Sequence, residues 1–249
     1  MGFVAWEWAG LAGITKKSSK LTYAICFFCI ASFLYQGLGF GNNQEHFDKE
    51  MSLIFLCIGL LFWISSVFFL YHYPKYFEFW NKKYKLTVMG LLVIIPAWNG
   101  MIVLKFLNPE GYLLLLIVIL VAATDIGAYF IGRSFGRIKL AKKLSPNKTW
   151  EGVLGGGAVC GLTMILITEI VDLIFPAFFQ VDSVVIIFLT LTTIVLSVVG
   201  DLLESMLKRN QGIKDSGDIL PGHGGILDRV DGLLAVVPCF SLILLLTIK

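Results

Sequence analysis

Seven apolar stretches of about twenty residues constrain this chain more than any other feature of its 249 residues. They cover approximately residues 21–41, 51–71, 86–107, 112–132, 152–175, 183–201 and 230–248. At 1.5 Å per residue, a helix of about 20 residues crosses roughly 30 Å of hydrocarbon. Lipid offers no partner to an open backbone N–H or C=O, so a spanning segment is a helix or part of a closed barrel. These runs lack the apolar–polar alternation of barrel strands. The predicted class is therefore all-α, a polytopic integral membrane protein with about seven transmembrane helices. Hydrophobic residues make up 57% of the chain and charged residues 15%, which agrees with that class. No internal repeat, low-complexity linker or soluble second domain is evident, so residues 1–249 read as a single membrane-embedded domain.

The charges that remain are unevenly placed. Seventeen of the 20 Lys and Arg fall in alternate loops: Lys16, Lys17, Lys20; Lys75, Lys82, Lys83, Lys85; Arg133, Arg137, Lys139, Lys142, Lys143, Lys148; and Lys208, Arg209, Lys214, Arg229. Lys49, Lys105 and Lys249 are left for the other side. By the positive-inside rule the rich face is cytoplasmic, which puts the N-terminus and both long polar segments, 132–151 and 201–231, inside a plasma or inner membrane. A net charge of only +3 supplies no global basic field, so nucleic acid is not an expected partner. The five cysteines, Cys26, Cys29, Cys57, Cys160 and Cys239, lie in apolar runs and read as packing residues, with neither a disulfide framework nor a zinc site implied. Met1 to Gly13 has no basic n-region or cleavage signal, and Trp6 and Trp8 suit an interfacial position.

Chemistry is expected in GDLLESMLKRNQGIKDSGDILPGHGGILDRVDG, from Gly200 to Gly232. Charges near a bilayer are costly and concentrate where substrates or ions are handled. Asp201 and Glu204 are three residues apart, as are Asp228 and Asp231, so each pair shares a helical face. One pair ends the sixth span and the other opens the seventh. Oxygen ligands at helix ends suit a hard cation such as Mg2+, with one ion or two left open; helix capping is the plainer alternative for Asp228 or Asp231. The loop Pro221-Gly222-His223-Gly224-Gly225 lets backbone N–H groups approach an anion, and His223 reads as a proton donor or phosphate contact.

Two further features belong with it. Asp125 is an isolated carboxylate in the fourth span: either a ligand or substrate contact, or a structural hydrogen-bond partner of Thr124 or Tyr129. Ser145-Pro146-Asn147-Lys148-Thr149-Trp150-Glu151-Gly152 brings Ser145, Lys148 and Thr149 to a helix N-terminus, as at phosphate sites, or is simply an N-cap beside an ordinary lysine. Arg133, Arg137, Lys139, Lys142 and Lys143 read as ordinary inside charges, some touching anionic membrane lipids. Acids, bases and a Gly-rich loop, without a Ser-His-Asp or Cys-His arrangement, point to metal-assisted phosphoryl chemistry.

From Ser205 to Asp231, SMLKRNQGIKDSGDILPGHGGILDRVD resembles the signature of the CDP-diacylglycerol synthases (phosphatidate cytidylyltransferases). Ser205, Lys208, Arg209, Lys214, Asp215, Gly217, Pro221, His223, Gly224, Gly225, Asp228, Arg229 and Asp231 match it position by position. Asp201, the SPNKTWEG box and TDIGAYFIGRSFG resemble the same family, and the likeness weakens over the first hundred residues. Relatives usually carry more hydrophobic segments before the stretch matching Ala5-Trp6-Glu7-Trp8, so the chain reads as a shortened or fragmentary member. The resemblance implies CTP plus phosphatidate giving CDP-diacylglycerol and pyrophosphate. It implies Mg2+ on Asp201, Asp228 and Asp231, and phosphates held by Lys148, Lys208, Arg209, Lys214 and Arg229. It also implies a PGHGG loop against the nucleotide, and a homodimer.

Two rival readings compete. Asp228-Arg229-Val230-Asp231-Gly232 matches the start of the D-x-x-D-G motif of CDP-alcohol phosphatidyltransferases, but Ala235 is followed by Val236 and no further acid appears. An ion-coupled transporter would use Asp125 and Glu169 as intramembrane carboxylates, but the repeated halves common in transporters are not evident.

Overall fold

The structure, a computed structural model, describes residues 1–40, 47–75, 77–174, 182–222 and 224–247. In chain order its elements are α1 (Gly2–Leu11), α2 (Lys17–Gly37), α3 (Lys49–His72), α4 (Phe77–Trp80), α5 (Lys83–Leu107), α6 (Tyr112–Phe135), β1 (Lys139–Ala141), β2 (Ser145–Thr149), α7 (Trp150–Ile174), α8 (Ser183–Asn210) and α9 (Leu227–Thr247). Seven helices among the described residues, α2, α3 and α5–α9, are long and apolar enough to cross a membrane. The chain is an all-α polytopic integral membrane protein, as the apolar runs predict. Large apolar side chains such as Phe33, Leu61, Phe68, Leu154, Leu173 and Phe188 stand exposed on the outside of the bundle. A soluble monomer rarely presents such a surface, and lipid solvates it.

Helix α9 is the centre: 67 % of its apolar stretch is buried, against 22 % for α2 and α7. It packs on α3, α5, α6 and α8. Apolar contact alone does not drive helices together in lipid, so close packing and interhelical hydrogen bonds carry more of the association. Ser241 on α9 donates to the carbonyl of Gly100 on α5 (3.1 Å), and Asn99 Nδ2 on α5 donates to that of Ser52 on α3 (3.2 Å). Helices α6 and α7 meet along small residues, Gly127 and Ala128 against Gly152, Gly155 and Gly156.

Three differences from the sequence expectation bear on function. The N-terminal residues form a helix, α1, packed on α2, α5 and α9. Trp8 is enclosed by protein at 3 % exposure, with Nε1 donating to the Leu86 carbonyl at 2.9 Å. Ten residues are too few to span a bilayer, but a helix that is apolar apart from Glu7 is stable once enclosed.

The stretch before α7 is not a plain loop. β1 and β2 pair antiparallel, Lys139 opposite Thr149 and Ala141 opposite Ser145, and Leu144 at the turn is buried in the core. Glu151 closes the ribbon by accepting the Ile138 N–H at 3.1 Å. Finally, α8 continues nine residues past Asp201, the end of its predicted span, to Asn210. Ser183–Gly200 is 18 uncharged residues, about 27 Å of helix, so the remaining turns project beyond the apolar layer.

Candidate active site

That projecting end of α8 carries Asp201, Glu204, Ser205 and Lys208 at spacings of three, four and seven, on one helical face. The first turns of α9 carry Asp228 and Asp231. The two helices approach closely because position 200 is glycine: a Cβ there would lie 2.5 Å from the Asp231 carbonyl oxygen and 3.1 Å from Ala235 Cβ. Three carboxyl groups converge as a result. One oxygen each of Asp201, Glu204 and Asp231 lies within 4.8 Å of the other two.

The arrangement fits a hard divalent cation. Its donors are all oxygen. Glu204 is 3 % exposed, and its Oε1 has no hydrogen-bond partner among the described residues. A buried polar atom left unpaired costs about 1–3 kcal/mol, a cost that a bound cation removes. Ser205 Oγ donates to Asp201 Oδ1 at 3.2 Å, and the Gly232 N–H donates to Asp231 Oδ1 at 2.7 Å, so both aspartates are oriented.

Asp228 does not join that cluster. It accepts Lys208 Nζ at 2.7 Å, the Ser216 N–H at 2.9 Å and the Gly225 N–H at 2.8 Å. The bond back to Gly225 resembles the return bond of a capping box. The plainer alternative for this residue, a capping role, therefore describes much of its bonding. Its place in the three-acid cluster is taken by Glu204, which the resemblance did not assign. Lys208 bridges Glu204 and Asp228 at 2.7 Å each, using two of its three donors.

A cavity of about 610 Å³ opens over the acids, between α6, α7, α8, the start of α9 and the ribbon. Asp125, Lys148, Thr149, Asp201, Glu204, Lys208, Asp228 and Asp231 line it. Lys148 reaches from β2 to form an ion pair with Asp201. Thr149 Oγ1 accepts the Gly152 N–H at 3.1 Å, so the box both caps α7 and delivers a lysine to the acids. Asp125 faces this cavity, and neither structural bond considered for it is formed: Thr124 Oγ1 donates to the Leu120 carbonyl, and the Tyr129 hydroxyl accepts from Arg133. Glu169 is exposed on α7 and is not part of the lining, so the transporter reading loses its pair of facing acids.

The other expected residues divide by position. Arg209, Lys214, Asp215, Pro221, Gly222 and Arg229 are exposed on the loop side and do not line the cavity. Ser145 is held in the ribbon by its pairing with Ala141. Gly222 and Gly224 take φ of 74° and 80°, conformations that favour glycine, and the Leu220 N–H donates to the Gly224 carbonyl at 3.0 Å. His223 lies outside the described residues.

Sequence reasoning passed over Arg133, Lys139 and Asn147, which line the cavity, and Glu7, which is buried beneath the loop. For Arg133 a signal existed: Asp125, Tyr129 and Arg133 recur at i, i+4 and i+8, one face of α6. Lys139 becomes visible only once β1 is paired with β2.

The model of the cytidylyltransferase family matches residues 1–247. The chain belongs to this family. Among its relatives, the phosphatidate cytidylyltransferase of Pseudomonas aeruginosa is 37% identical over 242 residues, 96% of this chain and 83% of that protein. That of Haemophilus influenzae is 36% identical over 253 residues, 95% and 84% of the two chains. That of Bacillus subtilis is 40% identical over 164 residues, 64% and 59%. Family membership also removes the CDP-alcohol phosphatidyltransferase reading. In this cytidylyltransferase the three clustered acids come from two helices, Asp201 and Glu204 on α8 and Asp231 on α9, rather than from one.

Proposed function

We propose that the chain is a phosphatidate cytidylyltransferase, a single membrane-embedded unit that joins CTP and phosphatidate into CDP-diacylglycerol and pyrophosphate at the cytoplasmic membrane face. The observation that carries this reading is the meeting of Lys148 with the acids of Asp201, Glu204 and Asp231 in one cavity, at the end of helices long enough to span lipid. A water-soluble nucleotide and a lipid headgroup can share such a place.

The lipid phosphate oxygen attacks the α-phosphorus of CTP; the bond to the β-phosphate breaks, and pyrophosphate leaves with the electron pair. The nucleophile is already anionic, so no general base is required of the protein. Mg2+, held by Asp201, Glu204 and Asp231, would neutralise charge on the triphosphate. Asp228, assigned to the metal by the resemblance, acts here by holding Lys208 and the Gly-rich loop in place. Lys148, Lys139 and Arg133 supply cationic donors to phosphate oxygens, and the hydroxyl of Tyr129 orients Arg133 by accepting from Nη1 at 2.8 Å. The catalytic contribution is positioning and charge compensation rather than covalent chemistry. Arg209, Lys214 and Arg229 form a basic rim for CTP or lipid phosphates. Ser145, Thr149, Ser205 and Asp215 support the phosphate-binding segments, and the PGHGG loop would approach the nucleotide, as the resemblance implies. The homodimer implied by the resemblance belongs to the same reading.

Purified protein incubated with labelled CTP, phosphatidate and Mg2+ tests it. Labelled CDP-diacylglycerol that fails to form in EDTA is expected; folded protein that transfers no CMP overturns it. A second test addresses the helix approach. Gly200→Ala places a methyl group against the Asp231 backbone and is expected to lower stability by about 1–3 kcal/mol. Its Mg2+-dependent rate is expected to fall at least tenfold, as the acids separate. Wild-type unfolding temperature and rate together would show that the contact is slack.

A further inference from the structure

Glu7 sits on α1, some 200 residues from the acids in sequence, yet it is 1 % exposed and bonded entirely to the segment that leads into them. Its carboxylate accepts the Leu227 N–H at 2.7 Å, the Ile226 N–H at 3.1 Å and Ser216 Oγ at 3.1 Å. Leu227 is the first residue of α9, so two of these donors are backbone groups that the helix itself leaves unpaired. A carboxylate at this end also complements the positive end of the helix dipole. The loop is moulded to it: a Cβ on Gly217 would lie 2.6 Å from Glu7 Oε1, and one on Gly225 would lie 2.6 Å from Oε2. On the far side of the same backbone, the N–H groups of Ser216 and Gly225 bind Asp228. Ser216 and the backbone of residues 225–227 are thus held between two carboxylates, Asp228, which faces the cavity, and Glu7, which does not line it.

Given the phosphatidate cytidylyltransferase reading, we infer that Glu7 is a positioning residue for the reaction: by capping α9 from α1 it fixes the helix start that presents Asp228 and Asp231 to the cavity. It touches neither reacting group. Its effect passes through the backbone of Gly225, Ile226 and Leu227, where a displacement on the order of 1 Å is enough to cost about 10²-fold in rate. Glutamine is nearly isosteric but keeps only one acceptor oxygen and turns an N–H toward the remaining donors, so Glu7→Gln weakens the cap with little change in volume.

Three measurements on the full-length protein in detergent test this. In Glu7→Gln, kcat per folded molecule is expected to fall about 10- to 100-fold with KM for CTP within about threefold, the pattern of a lost transition-state arrangement. Amide hydrogen exchange across residues 213–231 is expected to rise at least tenfold, whatever the activity. Trp8→Phe, on the same helix, deletes the Nε1 bond to Leu86 and is expected to keep kcat within twofold, because it leaves the Glu7 contacts alone. Wild-type kcat and exchange in Glu7→Gln would overturn the inference, as would equal losses in the two variants that track only the folded fraction. Should Glu7→Gln fail to fold, Ser216→Ala removes one of the three bonds; a three- to tenfold loss of kcat is then expected, and an unchanged kcat overturns the inference. If wild-type protein transfers no CMP, the functional reading falls, and the exchange measurement still decides whether Glu7 orders the loop.

Discussion

Asp231→Asn is expected to reduce magnesium-dependent CMP transfer by on the order of 10³-fold, about 4 kcal/mol of transition-state stabilisation, without reducing expression or folded yield. The substitution preserves shape, and the asparagine oxygen can still accept the Gly232 N–H that Asp231 Oδ1 accepts at 2.7 Å. What disappears is one of three carboxylate charges gathered within 4.8 Å. Without a cation those charges repel one another, so the folded state loses nothing by the change and the metal-bound state loses a ligand. Rate and unfolding temperature are therefore expected to separate, the first collapsing while the second holds or rises. Near wild-type turnover would remove Asp231 from the metal site.

Lys208→Met is expected to do the opposite: to damage fold and activity together. The Lys208 side chain is 12 % exposed, and its ammonium lies 2.7 Å from both Glu204 and Asp228, whose side chains are 3 % and 12 % exposed. Deleting one partner of a buried ionic cluster typically costs 3–5 kcal/mol, because the remaining charges stay buried and uncompensated. Here two carboxylates are left at once, and Asp228 loses a side-chain anchor while it holds the loop at Ser216 and Gly225. The unfolding temperature in detergent should drop by several degrees and the rate by at least 10²-fold. A stable Lys208→Met protein that loses only activity would instead make Lys208 chiefly a phosphate ligand.

The contrast between these two residues shows what sequence alone could reach. Spacing placed Asp201 with Glu204 and Asp228 with Asp231 and pointed to a hard cation, and family likeness chose Asp201, Asp228 and Asp231 as its ligands, but neither distinguishes a ligand from a loop anchor. Asp228 and Asp231 are one helical turn apart, and only the fold of the intervening loop, with Lys208 and the Ser216 and Gly225 amides beside Asp228, separates their surroundings. Hydropathy ended the sixth span at Asp201 because the apolar layer ends there. The helix goes on because Leu-Leu-Glu-Ser-Met-Leu-Lys-Arg is rich in good helix formers, which suits water as well as lipid.

The ribbon escaped notice for a different reason. Its strands are three and five residues long, one containing proline, and their pairing depends on Leu144 and Glu151 rather than on any alternating pattern. Glu7 was illegible in principle. Its partners lie 209, 219 and 220 residues away, and a single glutamate in an apolar decapeptide carries no local sign of them. The seven spans, by contrast, were legible because each satisfies its own backbone, so that length and apolarity determine them without reference to the rest of the chain.

The claim on which the mechanism turns is that Asp201, Glu204 and Asp231 together hold a divalent cation. Electron paramagnetic resonance of Mn2+ titrated into the purified protein, without nucleotide or lipid, reads this directly. Saturable binding in the wild type is expected, weakened at least tenfold by Asp201→Asn, Glu204→Gln and Asp231→Asn and displaced by excess Mg2+. Equal Mn2+ affinity in the wild type and all three variants would contradict it.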